Sequence, residues 1–166
     1  VLINRLLMKF AIIKEIKNPP DKRAVLSTQA CAALKKKFPS SDIKVESDTN
    51  RAFTDEEYRN FGIEVTNDIS DCDVLLGIKE VPVEHLIPNK KYFFFSHTIK
   101  KQAHNQKLLQ AILQKNIELY DHEVITDTKG VRIVAFGKYA GIVGAYNTIR
   151  AYGLKTRSFN LPKAEN

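Results

Sequence analysis

Two apolar runs that end abruptly in ionisable side chains decide the fold of this chain: DVLLGIKE at residues 73–80 and YFFFSH at residues 92–97. Neither run shows the polar alternation of a half-buried strand, so both are predicted to be fully buried strands of a parallel sheet. In open α/β sheets, ligands bind just beyond the carboxyl ends of the strands. A lysine, a glutamate and a histidine therefore reach one edge of the predicted sheet, where they are candidates for proton transfer.

Strand and helix patterns alternate along the rest of the chain. Strands are predicted over 8–14, 43–46, 63–65 and 117–120, and helices over 27–38, 54–62, 102–116 and 139–152. A hairpin is predicted over 124–134, because DTKG separates two apolar stretches there. The alternation predicts an α/β fold, doubly wound, with a mostly parallel sheet and helices on both faces, of the Rossmann-like or flavodoxin-like kind.

The last two helices carry patterns that predict how they pack. The helix over 102–116 has an apolar stripe made of Leu108, Leu109, Ile112 and Leu113. Gly153 follows the last helix and is predicted to end it. Small residues between 137 and 145 share one helix face and would let another backbone approach closely. The expected contact is another helix of the same domain, or a second domain or subunit, which leaves room for a homodimer.

Composition predicts one folded domain of ordinary size. The chain has 166 residues, 43% of them hydrophobic and 27% charged, which favours a packed core over disorder. Its net charge of +7 raises the question of nucleic-acid binding, but Lys35 to Lys37 fit a solvated helix face better. No apolar run is long enough to span a membrane.

The cysteines, glycines and histidines indicate which kinds of binding site the chain lacks. Cys31 and Cys72 lack metal-ligand spacing and are predicted to be buried free thiols, which suggests a reducing, cytoplasmic location. No two glycines are spaced as G-x-G, so neither a dinucleotide fingerprint nor a phosphate-binding loop is expected in this chain. No metal site is expected, because the histidines lack zinc-helix spacing. His97 is singled out instead by the lysine and carboxylates that end the neighbouring strands.

Four motifs in order resemble the amino-terminal half of the lysine-forming saccharopine dehydrogenases, members of the alanine dehydrogenase and transhydrogenase superfamily. They are KEVP at 79–82, FFSHTIKKQ at 94–102, LYDHE at 119–123 and RIVAFGKYAGIVGA at 132–145. An early KE at 14–15 followed by RAVLS at 23–27 resembles the superfamily's opening motif. The resemblance covers residues 8 to about 153, and the AFGKYAG segment favours the saccharopine branch over alanine dehydrogenase.

The resemblance implies a reaction and roles for the motif residues. In that family, NAD-dependent oxidation cleaves a secondary amine that joins lysine to 2-oxoglutarate. It implies that Lys79 and His97 are the catalytic acid–base pair and that Glu80 and Glu123 tune their charge. It implies that the substrate carboxylates are held by Arg23, Lys100 and Arg132, with Phe136 also at the substrate. A planar guanidinium suits that role because it binds a carboxylate through two hydrogen bonds.

The resemblance also predicts the domain organisation. Residues 8–155 would be the substrate-side domain, with 1–7 an extension or cloning remnant and 156–166 a linker to an NAD-binding domain that this chain lacks. NAD or NADP would be bound mainly by that missing domain, and the substrate would be an amino acid or opine. The alternatives are a non-catalytic module that binds an amino acid or a partner, and an alanine dehydrogenase-type activity. Nucleic-acid binding through the net charge is the weakest of them.

Overall fold

A six-stranded sheet is formed within residues 9–121 of the computed structural model, which describes residues 8–19 and 21–163. Its strands are β1 (Lys9–Ile12), β2 (Asp42–Glu46), β3 (Glu64–Thr66), β4 (Val74–Lys79), β5 (Lys91–Phe95) and β6 (Glu118–Asp121). They lie in the order β3-β2-β1-β4-β5-β6, and every pairing between them is parallel. The strand order reverses between β1 and β4, which is where ligands bind in such sheets. The predicted α/β fold with its parallel sheet is confirmed.

The described residues contain four α-helices: α1 (Thr28–Lys37), α2 (Asp55–Asn60), α3 (Gln106–Gln114) and α4 (Gly137–Thr156). The first three each lie between two strands, whereas α4 follows β6. Short 3₁₀ turns cover Val83–His85, Thr98–Lys100 and Ala103–Asn105. The first two helices begin where their capping residues predict. Ser27 accepts a hydrogen bond from the Ala30 amide, and Thr54 forms a complete capping box with Glu57.

Each face of the sheet has its own apolar core. On one face, Cys31 of α1 and Tyr58 of α2 pack with Ile12 and Val45. On the other, residues of α3 pack over β4 and β5, including Leu75, Tyr92, Phe94, Leu108 and Ile112. Cys31 and Cys72 are buried free thiols, one in each core, as predicted.

The predicted stripe of α3 is partly wrong. Leu108 and Ile112 are buried together with Ala111, whereas Leu109 is 41% exposed and Leu113 is 72% exposed. Buried positions therefore follow the i, i+3, i+4 spacing of one helix face. Leucine at 109 and 113 made the stripe look wider than the face that meets the sheet.

Gly153 does not end the last helix. The helix continues to Thr156 and is followed by Arg157 in the left-handed conformation, with φ of 57°. Gly153 is instead a point of close approach, because a Cβ there would lie 2.5 Å from the Phe159 ring. The predicted hairpin over 124–134 is reduced to one antiparallel bridge between Thr126 and Arg132.

The chain divides into two compact units after Ile125. In the second unit, Tyr146 and Arg150 donate hydrogen bonds to the carbonyls of Pro162 and Leu161, so the segment after α4 turns back along it. The expected tight helix contact at the small residues is not seen in this unit, since a Cβ at Gly141 or Gly144 would meet no atom within 4 Å. The linker over 156–166 and a second subunit stay predictions, and residues 1–7 lie outside the described part.

Among the described residues, no helix has both the length and the apolar character needed to cross a membrane.

Candidate functional site

The end of β4 is anchored by a carboxylate from the segment after β1. Glu15 accepts hydrogen bonds from the backbone amides of Ile78 and Lys79, with O···N distances of 2.6 and 2.9 Å. The pairing of β1 with β4 ends at Leu76, and the pairing of β4 with β5 shifts register between Leu76 and Lys79, so the ladder is irregular where Glu15 binds. Burial raises the pKa of Glu15, and the two backbone hydrogen bonds offset this only in part. Glu15 therefore fixes the backbone from which the Lys79 side chain projects.

Lys79 itself is half-buried and lies opposite Phe95, two residues before His97. Within residues 8–19 and 21–163, its ammonium group makes no hydrogen bond or ion pair that would fix it. Its charge, after the stronger effect of Arg23, helps to hold the pKa of Asp21 below its usual range. Lys79 therefore stands close to Asp21 and is the cation best placed to meet a ligand.

Glu80 is committed to Lys17 through one carboxylate oxygen. The Lys17 ammonium forms an ion pair with Oε1, whereas Oε2 is buried without a hydrogen-bond partner among the described residues. Burial favours the protonated acid, but the hydrogen bond and charge of Lys17 outweigh it and hold the pKa of Glu80 below its usual range. The charge of His97 also lowers the pKa of Glu80, and the predicted role of Glu80 in tuning the charge of the acid–base pair stays a prediction.

His97 belongs to a closed group of three side chains. Its Nδ1 lies 3.0 Å from Oε2 of Glu123 and 3.1 Å from Nζ of Lys100, and Lys100 Nζ lies 3.2 Å from the other Glu123 oxygen. Nδ1 can donate to the carboxylate or accept from the ammonium, but one protonation state cannot do both. Nε2 has no hydrogen-bond partner in the described part of the chain. That nitrogen is the one available to exchange a proton with a ligand.

The His97 backbone adopts the left-handed conformation, with φ of 57°, and buried polar groups hold it there. Ser96 is fully buried and donates its hydroxyl hydrogen bond to Asp121. The Ser96 oxygen accepts from the Thr98 amide at 3.1 Å, and Asn105 Nδ2 donates to the His97 carbonyl at 3.2 Å. A strained residue that its surroundings hold in place is typical of functional sites.

Asp121 accepts hydrogen bonds both from Ser96, next to His97, and from the backbone of Glu123. Its second carboxylate oxygen accepts from the amide of Glu123 at 2.8 Å, while the first accepts from Ser96. Asp121 therefore positions both His97 and its partner Glu123. Sequence reasoning missed Asp121, Ser96 and Glu15, since a short polar residue beside a strand end is common and nothing local reveals its partner.

His122 is a buried histidine that the sequence analysis did not assign to the site. Its Nε2 lies 3.0 Å from the carbonyl of Gly77, and a carbonyl can only accept, so Nε2 carries the proton. Nδ1 is buried without a partner among the described residues. Burial lowers the pKa of His122, against the hydrogen bond to Gly77 and the charge of Asp121. The His122 ring packs edge-on against Phe95, with 5.2 Å between the two ring centroids.

Arg23 is paired with Asp21 in a two-pronged contact, with Nε···Oδ1 of 2.9 Å and Nη2···Oδ2 of 2.6 Å. That hydrogen bonding, with the charges of Asp21 and Glu15, raises the pKa of Arg23. The first unit therefore brings the predicted side chains into two groups. Arg23 and Lys79 lie near Asp21, whereas His97, Lys100 and Glu123 contact one another and the charge of His97 reaches Glu80. Arg132 and Phe136 belong to the second unit, and their part in the site stays a prediction. No metal-binding group of three or more His, Cys, Asp or Glu occurs among the described residues.

The ion pair of Glu123 gives the fold an acid-sensitive contribution. The hydrogen bond with His97 lowers the pKa of Glu123, burial opposes this, and Lys100 adds to the lowering. A carboxyl whose pKa is lower in the folded state stabilises the fold above its usual pKa and loses that effect as pH falls through the folded value. We expect the free energy of unfolding of Glu123→Gln, measured by denaturant titration, to fall less than that of the wild type from neutral to acid pH.

The matched control is Glu84→Gln, which changes an exposed carboxylate. Its unfolding free energy should follow the wild-type pH curve. Parallel curves for Glu123→Gln and the wild type would show that Glu123 is not stabilised as a carboxylate in the fold.

Comparison with known proteins shows the family of this chain. The family model "Alanine dehydrogenase/PNT, N-terminal domain" matches residues 11–143. The chain belongs to this family. Alpha-aminoadipic semialdehyde synthase of Arabidopsis thaliana is 38% identical over 146 residues, which cover 86% of this chain and 14% of that protein. The L-lysine-forming, NAD(+) saccharopine dehydrogenase of Emericella nidulans is 31% identical over 133 residues, covering 76% of this chain and 35% of that protein.

A solved structure confirms the fold of the alanine dehydrogenase/PNT N-terminal domain. The transhydrogenase of Sinorhizobium meliloti superposes with a TM-score of 0.60 at 18% identity, covering 73% of this chain and 37% of that one. The chain thus spans a small part of the two curated relatives, 14% and 35% of their lengths. The predicted membership of the superfamily is confirmed by the family model and by these relatives.

Proposed function

We propose that this domain is the substrate-binding and acid–base half of an NAD(P)-dependent oxidoreductase. It would act on the C–N bond of an amino acid or of a saccharopine-like opine. The observation that carries the proposal is the placement of two proton-transfer groups at the ends of the adjacent strands β4 and β5. Lys79 has an ammonium group unengaged in the described part of the chain, and His97 has Nε2 available while Glu123 and Lys100 engage Nδ1.

The supporting charges suit a substrate with several carboxylates. Lys79, Lys100 and Arg23 supply positive charge at this edge of the sheet. Asp21 forms an ion pair with Arg23, and Glu123 forms one with Lys100. A substrate carboxylate could exchange with Asp21 on Arg23, since a guanidinium binds carboxylates through the same fork. The relatives named for saccharopine and for alpha-aminoadipic semialdehyde are consistent with an amino-acid substrate.

Proton movements in such a reaction match the two groups. When the carbon–hydrogen bond of a secondary amine gives up hydride, the nitrogen loses its proton to a base and an imine forms. Water then adds to the imine carbon and gives a carbinolamine, as one water proton is removed and the nitrogen takes up a proton. The carbon–nitrogen bond breaks as the nitrogen is protonated again and the hydroxyl group loses its proton to leave a carbonyl. The products are a primary amine and an oxo acid. Lys79 and His97 would serve these transfers as the acid–base pair.

The residues at the strand-order reversal do not fit a dinucleotide. Residues 13–27, which connect β1 to α1, contain no glycine, whereas a dinucleotide needs glycines there to approach the backbone. NAD or NADP, which accepts the hydride when bound, is therefore assigned to a separate nucleotide-binding domain. What this chain contributes is binding, orientation and proton transfer.

The test is a substrate screen with the full-length gene product and NAD or NADP. We expect saccharopine to reduce the nicotinamide and L-alanine to give little or no reduction. Turnover of L-alanine instead would favour an alanine dehydrogenase-type activity. Calorimetric binding of saccharopine or L-lysine without any nicotinamide reduction would contradict the proposal and favour a non-catalytic amino-acid-binding module.

A further inference from the structure

A cavity of about 250 Å³ lies in the first unit and shares no lining residue with the Lys79–His97 cluster. It opens between the 67–70 segment and the 81–87 segment. Its floor is apolar and is formed by Ile13, Ile69, Val81 and Ile87. We call it the crossover cavity. Its volume is slightly below the range of sites for drug-sized ligands, which fits a molecule about as large as an amino acid.

The cavity exists because one crossover lacks a helix. Parallel strands in a sheet are usually joined by a dozen or more residues that include a helix. Here residues 67–73 alone carry the chain from β3 to β4, past β2 and β1. The sheet face beneath this connection is therefore left with a concave apolar surface instead of a packed helix.

Polar groups of both charges surround that surface. Lys14 and Glu46 form an ion pair at 3.0 Å, and the second Glu46 oxygen accepts from the backbone amide of Lys14, also at 3.0 Å. Asp68 uses one carboxylate oxygen to accept from the Ser70 amide. Tyr92 is 1% exposed, and its hydroxyl oxygen accepts from the Ile87 amide at 2.9 Å. That hydroxyl finds no acceptor for its own proton in the described part of the chain. A buried donor without an acceptor is costly unless a ligand or water supplies one.

Asn67 and His85 add unused hydrogen-bonding capacity. Both are exposed residues that line the rim of the cavity, and neither side chain makes a hydrogen bond within residues 8–19 and 21–163. Apolar pockets with a few convergent polar groups are the usual form of a small-molecule site. The rim here offers one ammonium and two carboxylates, so it suits a ligand that carries both charges.

We infer that the crossover cavity binds a zwitterionic α-amino acid with an apolar side chain. The side chain of the bound amino acid would contact the apolar floor of the cavity. Glu46 and Asp68 would receive the ammonium group, and Lys14 and Asn67 the carboxylate. This inference does not rest on the proposed function, because the cavity lies outside the acid–base cluster and needs no turnover.

The test is an NMR titration of this chain with L-leucine as the probe. Amide shifts should change at Ile69, Val81 and Ile87 and remain unchanged at Lys79 and His97. Removing either charge of the probe should weaken binding about tenfold or more, because a charged rim group then loses its partner. The two analogues are 4-methylpentanoate, which lacks the ammonium group, and 3-methylbutylamine, which lacks the carboxylate.

A pair of tryptophan variants makes the test specific. Ser70→Trp narrows the mouth of the cavity while leaving the backbone hydrogen bonds of residue 70 available, and it should abolish the leucine shifts. Lys36→Trp changes an exposed position on α1, over the opposite sheet face, and should leave them intact. Absence of leucine shifts at about 10 mM, where even weak specific binding would register, would overturn the inference. So would shifts centred on Lys79 and His97, or equal binding by Ser70→Trp.

Discussion

Lys79→Met should lower kcat by about 10²-fold or more in the full-length protein, the usual scale for loss of an acid–base group. Methionine keeps the length and the apolar stem of the lysine but cannot exchange a proton. The anchoring of residue 79 should survive, because Glu15 holds its backbone amide and not its side chain. Steady-state rates with saccharopine and the preferred nicotinamide nucleotide would measure the effect. The loss should fall mainly on kcat, with KM changing less.

The matched control is Lys36→Met, which removes an exposed ammonium from α1. Its kcat and KM should equal those of the wild type. Near-normal turnover by Lys79→Met would remove Lys79 from the acid–base pair, whatever the substrate.

Gly77→Ala should destabilise the first unit by about 1–3 kcal/mol, the usual cost of forcing a methyl group into a packed site. A Cβ at this position would lie 2.9 Å from Cδ1 and 3.0 Å from Cγ1 of Ile13. It would also come within 3.5 Å of the Glu15 carboxylate that anchors Lys79. Denaturant unfolding would measure the change in the free energy of unfolding.

The clash with Ile13 can be tested by relieving it. Ile13→Val removes Cδ1, so the double variant Gly77→Ala/Ile13→Val should lose less stability than the sum of the two single variants. Contacting residues show couplings of about 0.5–3 kcal/mol in such cycles. Strictly additive losses would show that contact with Ile13 is not the reason for glycine at this position.

The parallel sheet could be predicted from the sequence because strands β4 and β5 are continuous apolar runs. Runs such as VLLGI in β4 admit burial on both faces, which implies a parallel sheet with helices on each side. The starts of α1 and α2 were also predictable, since capping at Ser27 and Thr54 depends on neighbours within three residues. The start of α3 was not: the helix predicted from residue 102 begins at Gln106, where no side chain caps it. The end of α4 was not, because Gly153 is required by its approach to Phe159 and not by the local turn.

In the candidate site, only the residues that stand at the ends of buried strands could be predicted from the sequence. Lys79 and His97 directly follow buried runs, and the parallel arrangement brings such ends to one edge. The groups that hold them come from far along the chain. Glu15 binds amides 63 and 64 residues away, and Ser96 binds Asp121 25 residues away. No local pattern marks these partners, so only the folded arrangement reveals them.

The most direct test of the acid–base pair is a double-mutant cycle on kcat with Lys79→Met and His97→Gln. Residues that act as one unit in catalysis show strongly non-additive losses. We predict that each single variant loses about 10²-fold or more and that the double variant loses little more than either. Losses that multiply in the double variant, or near-normal turnover in a single one, would contradict the account of Lys79 and His97 as an acid–base pair.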